Sequence, residues 1–208
     1  IIPAEVGALA SGLEGQGRMA EPEHILQFIK EISFTNKDLE GKQFIVTAGP
    51  TYEAIDPVRF IGNHSTGKMG FQLAEELALR GANVFLITGP TQCVAKHSHI
   101  STVPVQSAQD MLDEVQGLWG KMDGGIFAAA VADYRPSVVA TQKNKKKENE
   151  MQLELVKNPD VLRWAGSVKK MDQILVGFAL ETNDAEANGL KKCQEKNLDF
   201  IVVNSPVK

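Results

Sequence analysis

Cysteine is scarce in this chain: Cys93 and Cys193 stand far apart, with neither C-x-x-C spacing nor a Cys/His ligand pattern around them. A disulfide framework and a zinc site are therefore not indicated, and a reducing compartment suits such a chain best. Long apolar runs are missing too. The longest spans residues 126–132, far below the roughly 20 residues needed to cross a bilayer. The chain opens on Ile1, Ile2 and Pro3 without a basic stretch, so it does not read as a signal peptide and the cytoplasm is the expected location. Excess positive charge is lacking as well, and a net charge of −4 argues against a broad nucleic-acid surface. No Ser-His-Asp or Cys-His signature and no marked pair of hydrolase carboxylates can be read.

What is present is ordinary globular material of 208 residues, 43% hydrophobic and 23% charged, enough for one substantial core. Its most informative stretch runs from Phe60 to Gly70, where Gly62, Asn63, His64, Ser65, Thr66, Gly67 and Lys68 precede a helical pattern. Amides at a helix N-terminus, helped by Gly67 and Lys68, make a cradle for phosphate or carboxylate. The string is not a P-loop. Met69 stands where Ser or Thr would hold Mg²⁺, and the nearest strand ends well upstream, at residue 48.

Residues 1–36 differ from the rest, with clustered glycines, a helix start at Glu21-Pro22-Glu23 and a short amphipathic stretch over 24–32. They hold too few apolar residues to fold alone. From residue 43 onward strands and helices alternate. Strands are expected at 43–48, 83–88, 100–105, 124–130, 173–178 and 199–203, and helices at 67–80, after a Ser107/Asp110 capping box, at 159–169 and from Asn183. Two extended runs, 137–142 and 151–156, flank a lysine-rich turn and interrupt the alternation as a hairpin. The fold class is therefore α/β, a Rossmann-like doubly wound, mostly parallel sheet with an inserted β-hairpin. Ligands in such sheets bind beyond the carboxyl ends of the strands.

Several chemically useful residues fall at those ends. Asn63 can hold a substrate carbonyl or simply shape a turn, and His64 is more readily a loop histidine than a base. Asp133 can bind a ribose hydroxyl or base amino group, or cap its own turn. Phe178 can lie against a base or belong to the core. The lysines at 143 and 145–147 can meet a developing negative charge or form a solvated tip, and Lys196 can complement a helix dipole with no ligand at all. Taken together this is an electrostatic kit of cations and N–H donors, suited to acyl or phosphoryl transfer. It points to a nucleotide-dependent ligase or transferase.

The motifs Thr47–Thr51, Asp56–Arg59, Asn63–Gly70, Ala129–Arg135, Val156–Asp160 and Gly177–Thr182 closely resemble those of bacterial phosphopantothenate–cysteine ligase, in order and spacing. The resemblance implies that CTP, with Mg²⁺, activates the phosphopantothenate carboxylate as an acyl-cytidylate, that the cysteine amine then displaces CMP, and that the enzyme is a homodimer. It further implies that Asn63 holds the acyl intermediate, that Asp133 and the backbone near Ala129 contact cytidine and ribose, and that Lys143 steadies the reacting phosphate and carboxylate. Phe178 and Lys196 match further nucleotide positions. Phosphate contacts from Ser65, Thr66, Gly67 and Lys68 are expected from the loop chemistry alone.

Two departures stand out: Asn144 follows Lys143 where family members usually carry an aliphatic residue, and the sequence stops at Lys208 where the family continues. Residues 1–36 resemble the tail of phosphopantothenoylcysteine decarboxylase, an FMN enzyme often fused ahead of the ligase, with Ser11 where many members have a proton-donating cysteine. The expected organisation is thus a decarboxylase remnant over 1–36 and a ligase domain, short at its end, over 37–208, with FMN confined to the missing body. A Rossmann-type NAD(P)-dependent oxidoreductase is the main alternative. Against it, Gly49-Pro50-Thr51 replaces a G-x-G-x-x-G turn and no acidic residue closes the second strand. A catalytically silent nucleotide-sensing module is the third reading.

Overall fold

The computed structural model describes residues 2–8, 12–33, 37–144, 151–181 and 183–204. Near the N-terminus β1 (Glu5–Ala8) and β2 (Glu14–Arg18) pair antiparallel, followed by α1 (Pro22–Ser33). The remaining elements are β3 (Gln43–Ala48), β4 (Tyr52–Ala54), β5 (Phe60–Gly62), α2 (Lys68–Leu79), β6 (Asn83–Thr88), β7 (Ile100–Pro104) and α3 (Ala108–Trp119). Then come β8 (Gly124–Phe127), β9 (Tyr134–Pro136), β10 (Leu155–Lys157), α4 (Val161–Val168), β11 (Ile174–Leu180), α5 (Ala185–Glu195) and β12 (Phe200–Asn204).

Six strands form one parallel sheet in the order β12-β11-β8-β3-β6-β7. Renumbered within the sheet this is 6-5-4-1-2-3, the doubly wound order with its switch point between β3 and β8. The alternation along β3 explains why it is apolar at almost every position. Phe44, Val46 and Ala48 face α2 together with Phe71, Ala74 and Leu77, while Ile45 faces α3 and α4 with Met111, Val115, Trp119 and Val161. A strand covered on both faces needs apolar residues at every position.

Polar residues fix the ends. The Ser107 hydroxyl accepts the Asp110 N–H at 3.1 Å and the Asp110 carboxylate accepts the Ser107 N–H at 2.9 Å, which is the expected capping box. Buried Gln173 donates to the Trp119 and Met122 carbonyls at the other end of α3. At the strand beginnings Asp123 accepts the Gln43 N–H at 2.8 Å, and Asp199 accepts the Leu175 N–H at 2.7 Å.

Four expectations need correction. The stretch after Thr51 is not all loop: β4 and β5 form a short antiparallel hairpin, stapled by the stacked rings of Tyr52 and Phe60 at 3.8 Å. Its turn is closed by Asp56, whose carboxylate accepts the Val58 and Arg59 N–H groups at 2.8 and 2.9 Å.

The expected hairpin of 137–142 with 151–156 is instead β9 paired with β10, its first arm starting three residues earlier and its second confined to residues 155–157. Pairing persists to the Ser137 N–H and Glu154 carbonyl. Beyond it the arm is drawn away, because Ala140 donates to the Ile55 carbonyl and Asn144 to the second oxygen of Asp56 at 3.2 Å. The helix expected from Asn183 begins one residue later, on Asp184 in a left-handed conformation with φ 47°, and no side chain caps it. The fourth strand also ends at Phe127 rather than Ala130, which keeps only an isolated bridge to Pro50.

Candidate functional site

A cleft of about 1000 Å³ opens at the carboxyl ends of β3, β8 and β11, over the switch point. Its floor is residues 128–132, which leave the sheet and are tied back to the β3 turn. Ala129 donates its N–H to Thr47 Oγ1 at 3.3 Å, Ala130 to the Gly49 carbonyl at 2.8 Å and Ala132 to the buried Thr51 hydroxyl at 2.9 Å. With these amides engaged, Ala129 has its carbonyl to offer a ligand.

Above the floor stand Asn63, His64 and Met69, from the loop between β5 and the first turn of α2. Asn63 Nδ2 donates to the Val131 carbonyl at 3.0 Å, which closes the loop onto the floor. One side wall is the 157–160 turn. Its Asn158 is pinned three ways, donating from Nδ2 to the Ala132 carbonyl at 2.7 Å and from its N–H to the Asp133 carbonyl at 2.8 Å, while its Oδ1 accepts from Arg135 at 3.0 Å. The lining is completed by Phe178, Ala179 and Leu180 at the end of β11, by Lys192 of α5 and by Lys196, the C-cap of α5, which adjoins the 157–160 turn.

The structure thus gathers Asn63, Ala129, Asp133, Phe178 and Lys196 around one cleft. Lys143 is exposed and does not border it. Lys145, Lys146 and Lys147 lie outside the described residues. Ser65, Thr66, Gly67 and Lys68 also stay off the cleft wall. Two of their amides are already used in local turns, Gly67 N–H to Ser65 Oγ at 3.2 Å and Lys68 N–H to Thr66 Oγ1 at 3.4 Å. The Thr66 carbonyl accepts from Thr91 Oγ1 and Cys93 Sγ.

Sequence reading missed Lys157, Asn158, Asp160 and Lys192 as cleft residues. The spacing of Lys192 and Lys196 carried a signal, since residues four apart share a helix face. Both lysines are ion-paired, Lys196 to Asp160 at 2.8 Å and Lys192 to Glu181 at 2.6 Å. The hydrogen bond from Lys192 is the main reason that the Glu181 carboxyl lies below its ordinary pKa; partial burial opposes it, and Asn188 adds a smaller pull. Among the described residues no group of three or more His, Cys, Asp or Glu side chains is arranged to hold a metal ion, and no described helix is long and apolar enough to cross a membrane.

The geometry is a cation-walled cleft with an aromatic side chain and backbone carbonyls, and comparison with known proteins narrows what it serves. Residues 39–208 match the family described as DNA/pantothenate metabolism flavoprotein C-terminal domain. The chain is similar to the coenzyme A biosynthesis bifunctional protein CoaBC of Bacillus subtilis, with 48% identity over 98% of this chain and 50% of that protein. A cysteine/cysteine sulfinic acid decarboxylase from an unknown prokaryotic organism is 44% identical over 99% of this chain and 58% of its own length. The chain therefore spans about half the length of the curated relatives it matches. Among solved structures, the C-terminal domain of a CoaBC bifunctional protein superposes with a TM-score of 0.72 at 44% identity, covering 82% of this chain and 80% of that one.

Proposed function

The chain belongs to the DNA/pantothenate metabolism flavoprotein C-terminal domain family, and from that premise we propose that it is a phosphopantothenate–cysteine ligase using CTP. The carrying observation is the cleft at the sheet's switch point, which brings Asn63, Ala129, Asp133, Phe178 and Lys196 together from elements far apart in sequence. The similarity to CoaBC proteins named for coenzyme A biosynthesis supports the same reading.

In this reading the cytosine ring lies against Phe178, with the Ala129 carbonyl and the Asp133 carboxylate receiving its amino group and ribose hydroxyls. Lys192 and Lys196 meet the phosphates. The phosphopantothenate carboxylate attacks the α-phosphorus, forming an acyl–phosphate bond while the bond to pyrophosphate breaks. The cysteine amine then attacks the acyl carbon, the new C–N bond forms, CMP leaves and the amine gives up a proton. Asn63 holds the acyl oxygen between the two steps, where negative charge develops. Mg²⁺ would arrive with the triphosphate. The ion would offset phosphate charge.

Lys143 enters this scheme through a second copy of the chain. The β9–β10 ribbon and the arm after it carry exposed Tyr134, Val138, Val139, Leu155 and Val156, apolar surface suited to a homodimer in which the lysine of one subunit serves the cleft of the other. Residues 1–36 are, in the same reading, the end of a decarboxylase domain whose FMN-binding body lies outside this chain. The reading is tested by pyrophosphate release, which must require CTP, phosphopantothenate for the first step, and cysteine for turnover. Release with ATP alone, or hydride transfer to NAD(P), would replace it.

A further inference from the structure

The two cleft lysines of α5 are not held alike. Lys192 is paired with Glu181, which does not border the cleft, and Asn188 Nδ2 donates to the other Glu181 oxygen at 3.1 Å. Lys196 is paired with Asp160, which does border the cleft, at 2.8 Å to Oδ2 and 3.1 Å to Oδ1. Asp160 is also the N-cap of α4. Its Oδ1 accepts the Arg163 N–H at 2.9 Å, and the Arg163 guanidinium lies 3.8 Å from Oδ2. One carboxylate therefore occupies a helix N-terminus and an ammonium group together, the two surroundings that favour a bound phosphate.

Capping alone does not account for this choice. A neutral Asn or Ser caps as well as Asp, yet the lysine side chain is only 18% exposed, and a largely covered cation needs an anion beside it while no ligand is present. Resting on the nucleotide reading above, we propose that Asp160 is a built-in substitute for a ligand phosphate. A phosphate arriving in the cleft takes Lys196 from Asp160, so nucleotide binding is the exchange of one anion for another. Asp160 thereby limits how tightly the triphosphate, and the pyrophosphate that leaves, are held. No bond is made or broken in this step.

The test is calorimetric titration with inorganic tripolyphosphate, in a chelator and at low ionic strength so that neither metal nor screening intervenes. Asp160→Asn and Asp160→Ser both keep a capping side chain, and a far-ultraviolet circular dichroism spectrum matching that of the unmodified chain verifies that the fold is kept. Each should bind tripolyphosphate about fivefold more tightly than the unmodified chain. The gain should vanish in a Lys196→Gln background, an outcome that a purely structural cap would not produce. Affinity that is unchanged or weaker in both variants overturns the exchange, weaker binding meaning that Asp160 only orients Lys196. A titration with CTP separates the two levels of inference: CTP binding to the unmodified chain without any gain in the variants overturns the exchange alone. Failure to bind either CTP or tripolyphosphate overturns the nucleotide reading with it.

Discussion

Gly166→Ala sets helix propensity against packing, and the structure says which prevails. Gly166 lies inside α4, where alanine is favoured over glycine by about 1 kcal/mol. A Cβ at this position would sit 1.8 Å from the Lys196 carbonyl oxygen and 2.9 Å from its carbon. Contacts under 3.0 Å do not occur in practice, so the chain at Lys196 would have to recede by at least 3.0 − 1.8 = 1.2 Å. The obstacle is backbone, which no rotamer change relieves. The two segments are also tied by the Asn197 side chain, donating to the Gly166 carbonyl at 3.0 Å.

Overpacking of this kind costs about 1–3 kcal/mol or more, and the upper part of that range applies when backbone must move. Subtracting the propensity gain leaves a net loss of roughly 1–2 kcal/mol. It is read from the denaturant midpoint at unchanged slope. Gly117→Ala is the matched control: that glycine is in α3 with nothing within 4 Å of its Cβ position, so the same substitution should stabilise by about 0.5–1 kcal/mol. If Gly166→Ala proved as stable as the unmodified chain, the tight approach of α4 to the end of α5 would be wrong, and with it the placement of Lys196.

Three further outcomes are expected. Asn63→Asp sets an oxygen against the Val131 carbonyl that Asn63 now bonds; CTP should still be consumed while transfer to cysteine slows roughly a hundredfold, and normal single-turnover transfer would refute the role of Asn63. Lys143→Gln should depress pyrophosphate release on a similar scale, and mixing it with Asn63→Asp should restore activity through hybrid dimers; no recovery after subunit exchange would refute the shared cleft. Asp123 is held below the ordinary carboxyl value chiefly by the Gln43 N–H and then by Lys42, against burial. Its contribution is therefore present above the unfolded pKa and lost as the pH falls through the lower folded one. Asp123→Asn should lower the thermal midpoint at neutral pH and converge with the unmodified chain below about pH 4, and a pH-independent difference would refute this.

Much of the fold was legible because burial writes itself into the pattern. The run from Gln43 to Ala48 is apolar at almost every position since both faces are covered, and the Ser107/Asp110 box marks a helix start by its own chemistry. The order of the strands was not legible, because it depends on which edge each crossover takes. The β4–β5 hairpin escaped notice for a different reason. Each strand is three residues long, too short for a period to register, and its stability comes from the Tyr52–Phe60 stack and the Asp56 turn. The arm from Ser137 looked like a strand because Val138 and Val139 suit one. Tertiary acceptors, the Ile55 carbonyl and then the Asp56 carboxylate, draw the chain away instead. Within the site, residues at strand ends were readable from topology. Lys192 was not, because a cation late in a helix has a sufficient local explanation in the dipole.

Asp56 also explains why Lys143 does not border the cleft that Asn63 lines. Its Oδ1 closes the turn of the β4–β5 hairpin, and its Oδ2 accepts the N–H of Asn144, the residue after Lys143. Arg59 fastens the same point by donating to the Asn144 carbonyl at 2.8 Å. Asn63 follows the opposite, open end of that hairpin, so the two anchors are separated by its length, about 10 Å for three residues. Bringing Lys143 to the cleft of its own chain would mean giving up the Asn144 contacts and leaving part of a buried carboxylate without a donor, which costs more than an ordinary hydrogen bond. Burial works to raise the Asp56 carboxyl, yet the Val58, Asn144 and Arg59 amides outweigh it and keep it below its ordinary value, so the carboxylate stays charged and the clip stays closed at neutral pH. A second subunit supplying its own Lys143 needs no such loss. The hairpin that fixes Asn63 is thus also what holds the backbone beside Lys143 at its far end, the arrangement that the proposed homodimer would use.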